Sequence, residues 1–174
     1  MKPSSDFAQL ENFYRDQLLD DIIPWWEEHA IDWENGGVLS FIADDGTVVS
    51  TDKYMWSQLR ALYTFSKLYN DIEPRDSWLD IARNIYDFVS RAGRDDAGNW
   101  AYWVDKDGNI VEGSTSIYSD GFAIMGMTEF ARATGQQEPM DIALASYENT
   151  ATRLQDPSSY TTAPYKVPRG GKAH

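Results

Sequence analysis

Apolar residues recur at three- and four-residue steps along most of the chain, and two short stretches alternate instead. Phe7, Leu10, Tyr14, Leu18, Ile22 and Trp25 form one apolar stripe among acids and amides, which predicts an amphipathic helix over residues 6–29. Pro24 lies inside it and is expected to kink or end it, leaving His29 near the helix C-terminus. Gly36-Gly37 breaks the helical pattern. Residues 38–42 and 47–49 then have strand composition, joined by the turn signal Asp45-Gly46. A single stripe returns over residues 76–92, through Trp78, Ile81, Ala82, Ile85, Phe88 and Val89, and Gly93 is expected to close that helix. A second alternating pair follows, with Trp100, Tyr102 and Val104 before the Asp107-Gly108 turn and Ile110-Val111 after it. A weaker helix is predicted over 138–154, and the tail 156–174, rich in proline and glycine, reads as loop.

Two segments differ from the single-stripe helices. Over 52–70, the residues Tyr54, Met55, Trp56, Leu59, Leu62, Tyr63, Phe65, Leu68 and Tyr69 surround the helical wheel, and over 115–134 a similar set does so, with Gly135 at the end. Helices apolar on most sides are expected to be buried on most sides. Arg60 stands in the middle of the first of these. A guanidinium there is costly unless it is paired or faces a wet cavity. Both halves repeat the order amphipathic helix, hairpin, all-round apolar helix. Ser119 lies 62 positions after Ser57 (119 − 57), and Gly108 lies 62 after Gly46 (108 − 46). Hairpins that alternate an outer amphipathic helix with an inner apolar one are expected to build a toroid, because inner helices need neighbours on both sides; the alternative, an open stack, must cap its ends with polar faces. Such rings close with about six pairs. The chain carries roughly two and a half, so residues 1–174 are expected to be one domain, the N-terminal portion of a longer barrel.

Composition narrows the partners. The formal net charge is −13, which disfavours nucleic acid and anionic membrane. Seven Trp and ten Tyr are many for this length, and suit either a packed core or a cavity whose walls stack on a ring-shaped ligand. Cysteine is absent, no apolar run marks a signal peptide, and no stretch is long and apolar enough to span a bilayer, so a cytoplasmic protein is expected.

Arg60 heads the candidate residues. Trp56, Arg60 and Tyr63 share one helical face, at i, i+4 and i+7. A fixed cation beside aromatics suits an oxygen-rich ligand such as a sugar. The bland alternative is a structural arginine paired with Asp120 or Asp52. Asp120 opens the second apolar helix, as a dipole or capping residue or as an acid. The pairs Asp44-Asp45, Asp95-Asp96 and Asp105 with Asp107 read as turn chemistry, and none fits a calcium loop. With His29 and His174 as the two histidines, a zinc site is not expected, and Gly171-Lys172 lacks the spacing of a phosphate loop.

The run 52–60, DKYMWSQLR, continuing to Phe65-Ser66-Lys67-Leu68-Tyr69-Asn70, resembles the N-acylglucosamine 2-epimerase family. So do Trp33-Glu34-Asn35-Gly36-Gly37-Val38, Trp78-Leu79-Asp80-Ile81-Ala82, Tyr118-Ser119-Asp120-Gly121-Phe122-Ala123 and Arg132-Ala133-Thr134-Gly135, in the expected order. The resemblance implies an all-α fold, an (α/α)6-barrel-type toroid with short β-hairpins between outer and inner helices. It also implies an isomerase that needs no metal or other cofactor. That enzyme moves a proton beside the carbonyl of a mono- or disaccharide through an enediolate, and assembles as a homodimer. By the resemblance Arg60 stabilises the enediolate oxygen, Trp56 and Tyr54 shape the sugar pocket, and His174 lines the same cavity; Tyr63, on the helical face of Arg60, and Asp120 are the further substrate-binding candidates. The family's two acid–base histidines have no counterpart here, which makes the chain an incomplete enzyme. A six-hairpin glycosidase, which needs two carboxylates across the scissile bond, and a non-catalytic carbohydrate-binding module are the competing readings.

Overall fold

The computed structural model describes residues 5–160. The first helical stretch runs unbroken to residue 29 as α1 (Ser5–Asp16), a π-helical segment (Gln17–Ile22) and α2 (Ile23–His29). Pro24 neither ends it nor stands in a regular helix interior. It sits in the first turn of α2, and the wide π turns ahead of it absorb the hydrogen bond that its nitrogen cannot donate. The expected apolar stripe is there, but Phe7, Leu10 and Tyr14 are exposed, because among the described residues α1 packs mainly on the π segment that continues it.

The first hairpin is β1 (Phe41–Ile42) with β2 (Val48–Ser50). The strand expected from residue 38 is shorter, and Val38 makes an isolated bridge to Ile31. β3 (Lys53–Tyr54), β4 (Trp103–Val104) and β5 (Ile110–Glu112) form an antiparallel sheet in that order. The long helix α3 therefore starts at Met55 and not at 52, and ends at Asp71. Lys53 and Tyr54 are drawn into pairing with Val104 and Trp103, which ties the two hairpins together. α4 (Asp76–Ala92), α5 (Ile117–Thr134) and α6 (Gln137–Arg153) follow.

The repeat is visible in these bounds. Met55 and Ile117, Phe41 and Trp103, and Val48 and Ile110 open equivalent elements at the same 62-residue offset (117 − 55, 103 − 41, 110 − 48). Gly46 and Gly108 hold the two hairpin turns at φ +85° and +91°, where a side chain is strained. Each tip also presses on the end of the preceding outer helix: a Cβ on Gly46 would lie 2.6 Å from His29 Nδ1, and one on Gly108 2.6 Å from the Ala92 Cβ. His29 is accordingly the last residue of α2, stacked beside Trp25. Gly135 closes α5 in the left-handed region, as expected. Gly93 closes α4 for a different reason. Its φ is an ordinary −82°, and what excludes a side chain is the Trp100 ring, 2.7 Å from a built Cβ.

α3 packs on α5 and α4, and α5 packs on α6. The core between them holds Leu59, Leu62, Trp78, Ile85, Phe88, Trp100, Met127 and Phe130. At Gly126 the inner helices come so close that a Cβ would stand 2.7 Å from the Leu59 carbonyl oxygen. Neither inner helix is buried all round. α3 buries Met55, Gln58, Leu59, Leu62, Phe65, Ser66 and Leu68 and leaves Arg60 exposed, while α5 exposes Tyr118 and Met125. The apparent conflict of a charge within an apolar helix is thereby removed: Arg60 lies on the open side.

Candidate active site

A cleft of about 430 Å³ lies between the first helical stretch and α3. Leu18, Ile22, Ile23 and Trp26 form one wall, Trp56, Ser57, Arg60, Ala61, Thr64 and Phe65 the other, and Leu39 and Ser40 part of the rim. Its α3 wall has an informative counterpart. The positions 62 residues on from Ser57, Ala61 and Thr64 are Ser119, Ala123 and Gly126, which are buried where α5 meets α3. The cleft is thus the flank of α3 that, one repeat later, an inner helix covers.

The wall around Arg60 is held by Gln58, which is fully buried on the next face of the same helix. Its Oε1 accepts the Val38 N–H at 2.8 Å, and its Nε2 donates to the Val38 carbonyl at 2.7 Å and to Ser40 Oγ at 3.3 Å. A side-chain amide thus pairs with one residue of the loop as a β-partner would. Ser40 Oγ also accepts the Tyr54 N–H, so the rim of the cleft is tied to the N-terminus of α3.

A buried ion pair supports the same loop. Lys53 Nζ donates to Asp32 Oδ2 at 2.7 Å with neither side chain more than 7% exposed, and the Phe88 ring lies 5.1 Å from the ammonium. Asp32 also accepts the Glu34 and Asn35 N–H groups and the Asn35 side-chain amide. Burial raises its pKa, but Lys53 and Asn35 outweigh that and hold the carboxyl below its ordinary value. Burial correspondingly lowers the Lys53 pKa against the pull of Asp32. The sequence contained no local cue to this pair, because its members are 21 positions apart.

The structure separates the expected site residues. Trp56 and Arg60 line the cleft; Tyr54, Tyr63 and Asp120 do not. The Tyr54 ring stacks on Trp103 and meets Phe41 and Tyr102 edge-on, in a cluster that belongs to the hairpins. Tyr63 is half-buried on α3. Asp120 is 0% exposed and accepts two 2.9 Å hydrogen bonds from Arg153 Nη1. It is therefore not the partner of Arg60, and neither is Asp52. Burial raises the Asp120 pKa above the ordinary carboxylate value, with Arg153 pulling against it. The N-cap of α5 is Ser116, whose side chain accepts the Tyr118 N–H. Asp45, Asp95 and Asp105 accept backbone N–H groups two to four residues on, as turn residues should. His174 lies outside the described residues, and among those residues no group of His, Asp or Glu could hold a metal.

Among the described residues the Arg60 side chain forms no ion pair and no hydrogen bond; its neighbours are the Trp56 and Phe122 rings, each with its centroid 5.4 Å from the guanidinium carbon. Phe122 is the repeat equivalent of Arg60 (122 − 60 = 62), and Tyr118 that of Trp56 (118 − 56 = 62). The offset applied to Arg60 would have pointed to Phe122 from sequence. The wall can bind and polarise an oxygen. Among the described residues no carboxylate or imidazole lines the cleft to move a proton.

Inner helices paired side by side, outer helices behind them and hairpins between define a helical-hairpin barrel of the (α/α)6 type. A profile of the N-acylglucosamine 2-epimerase (GlcNAc 2-epimerase) family matches residues 36–174, and the chain belongs to that family. It is 34% identical over 145 residues to an N-acylglucosamine 2-epimerase from Mus musculus, covering 81% of this chain and 33% of the relative. It is 30% identical over 148 residues to a cellobiose 2-epimerase from Dictyoglomus turgidum, covering 82% of this chain and 37% of the relative. The solved cellobiose 2-epimerase from Bacillus thermoamylovorans B4167, an (α/α)6 barrel, superposes with a TM-score of 0.75 at 27% identity, over 81% of this chain and 36% of that one. The chain thus spans about a third of the length of the relatives it matches. No helix among the described residues is long and apolar enough to cross a membrane.

Proposed function

We propose that this chain supplies the oxygen-binding wall of a carbohydrate epimerase or aldose–ketose isomerase. The observation that carries the reading is the Arg60 guanidinium on an open wall, 5.4 Å from each of two ring centroids and without an ion pair or hydrogen bond among the described residues. In the proposed reaction an open-chain sugar loses the proton beside its carbonyl. The resulting enediolate carries negative charge on oxygen, and Arg60 stabilises that charge as it develops. Trp56 offers an apolar face to the sugar carbons. Return of a proton to the opposite face of the same carbon gives the epimer, and to the former carbonyl carbon the ketose. The proton-moving groups come from outside the cleft walls described here, which matches the two histidines that the family resemblance implies for the later part of the barrel. The substrate is a mono- or disaccharide, supported by relatives named for N-acylglucosamine and cellobiose. On the family relation alone we also assign a homodimer in the cytoplasm, which sedimentation and cell fractionation test.

The test is solvent exchange. The intact protein in D2O should place deuterium on the carbon beside the carbonyl of N-acetylglucosamine, cellobiose or mannose, read by NMR. Arg60→Ala should slow the exchange about 100- to 1,000-fold with the fold retained. Absence of exchange with every one of these sugars would refute the reading, and full activity in Arg60→Ala would remove the role of that residue. A glycosidase is disfavoured, because Asp120 is sealed against Arg153 and no carboxylate among the described residues lines the cleft.

A further inference from the structure

From the geometry around Arg60 we infer that Phe122 is a positioning residue: with Trp56 it clamps the guanidinium between two aromatic rings, so that its orientation is set while its charge and N–H donors stay free for a ligand. This rests on the reading of Arg60 as the oxygen-stabilising residue. Lys53, Arg75, Arg91 and Arg94 also lie over rings, but Lys53 donates in addition to Asp32, Arg75 to Glu73 and Arg91 to the Asn35 carbonyl, and Arg94 meets a single ring, that of Trp100. Among the described residues Arg60 has two rings and no acceptor. A carboxylate partner would fix the side chain too, but it would occupy two donors and cancel the charge that an enediolate oxygen needs. A ring attracts the cation through its quadrupole and takes no donor.

The clamp spans two helices. Trp56 stands one turn before Arg60 on α3, and Phe122 reaches across from α5. The close approach at Gly126, one turn further along α5, keeps the two helices near enough for that contact. The repeat also explains its origin: at the position equivalent to Arg60, the second inner helix carries a ring, so neighbouring repeats present a cation and its holder. A planar cation held this way keeps its in-plane N–H groups available for two oxygens on adjacent carbons, the pattern of a 2-hydroxy carbonyl and its enediolate. Lysine, a point charge without that fork, would not replace it.

The experiment has two arms. In the first, 15N relaxation of Arg60 Nε is measured in the chain without any ligand, with the exposed Arg15 as the mobile reference. Phe122→Leu keeps an apolar side chain and removes the ring. It should bring Arg60 Nε to the mobility of Arg15 and abolish its ring-current shift, with the circular dichroism spectrum unchanged. Phe122→Tyr, which keeps the ring, should restore both, and it decides the question should the leucine variant fail to fold. Unchanged relaxation in Phe122→Leu, or no rescue by tyrosine, overturns the clamp. In the second arm the exchange rate of the intact protein is followed. Phe122→Leu should lower kcat by about 2- to 30-fold with KM nearly constant, and tyrosine should rescue it. An unchanged kcat beside a mobile Arg60 refutes the positioning role. If the wild-type protein exchanges no deuterium, the proposed activity fails, while the relaxation arm still decides the clamp.

Discussion

Replacing Arg153 by methionine isolates the cost of one buried charge. Asp120 is 0% exposed, and its two 2.9 Å bonds come from the Arg153 side chain, itself 10% exposed. Methionine keeps most of the aliphatic stem and removes the cation, so the carboxylate is left buried and uncompensated. Breaking such a pair from one side costs about 3–5 kcal/mol. Protonation sets a ceiling. A carboxyl with an ordinary pKa of about 3.9 can be neutralised at pH 7 for about 4 kcal/mol, and at pH 5 for about 1.5 kcal/mol. The sign follows from proton binding. Burial already raises the Asp120 pKa, and loss of Arg153 raises it further. A group whose folded pKa lies above its unfolded value contributes most below the unfolded value, and that contribution is lost as pH rises through the folded one. The deficit of Arg153→Met should therefore approach 3–4 kcal/mol at pH 7, equivalent to a fall in Tm of about 6–16 °C for a chain of this length, and shrink to about 1.5 kcal/mol or less at pH 5. Urea unfolding followed by tryptophan fluorescence at the two pH values measures both. Adding Asp120→Asn should recover much of the loss at pH 7. A deficit below about 1 kcal/mol at pH 7, or one equal at pH 5 and 7, would show that Arg153 does not hold the charge of Asp120.

Other perturbations probe the scaffold around the cleft. Gly126→Val places a Cβ about where Leu59 O lies 2.7 Å away, so it should cost about 1–3 kcal/mol and separate α3 from α5; a melting curve that matches the wild type would contradict that close approach. Gln58→Glu replaces the donor to the Val38 carbonyl by an acceptor, with an expected loss of about 1–3 kcal/mol and faster amide exchange at Val38, both readable by NMR. Asp32 has its pKa held below the ordinary value, so its contribution is present above about pH 4 and is lost as pH falls through the folded pKa. Asp32→Asn should therefore be less stable than the wild type at pH 7, with a difference that shrinks as pH falls below about 4, and a gap independent of pH would count against the Lys53 pairing.

Much of this molecule is periodicity, and periodicity is local. The helix over 76–92 stands where the stripe through Trp78, Ile81, Ile85 and Phe88 puts it, because a one-sided apolar face needs only its own spacing to declare itself. The 62-residue repeat, the glycine turns at 46 and 108 and the aspartate turns at 45, 95 and 105 were legible for the same reason. Partners distant in sequence were not. Lys53 carried no sign that it would meet Asp32, nor Asp120 that it would meet Arg153, since a charge records that it needs a partner and not which one. The first two residues of β3 read as helix because only the second hairpin, 50 positions on, draws them into a sheet. Arg60 shows both levels. The amino-acid pattern alone placed it on one face with Trp56, and posed the question of how an apolar helix tolerates it. The packing of α5 beside α3 answered that question, by leaving the face of Arg60 open and bringing Phe122 across to it. Which face of an apolar helix is covered depends on how many neighbours surround it, and that number exists only in three dimensions.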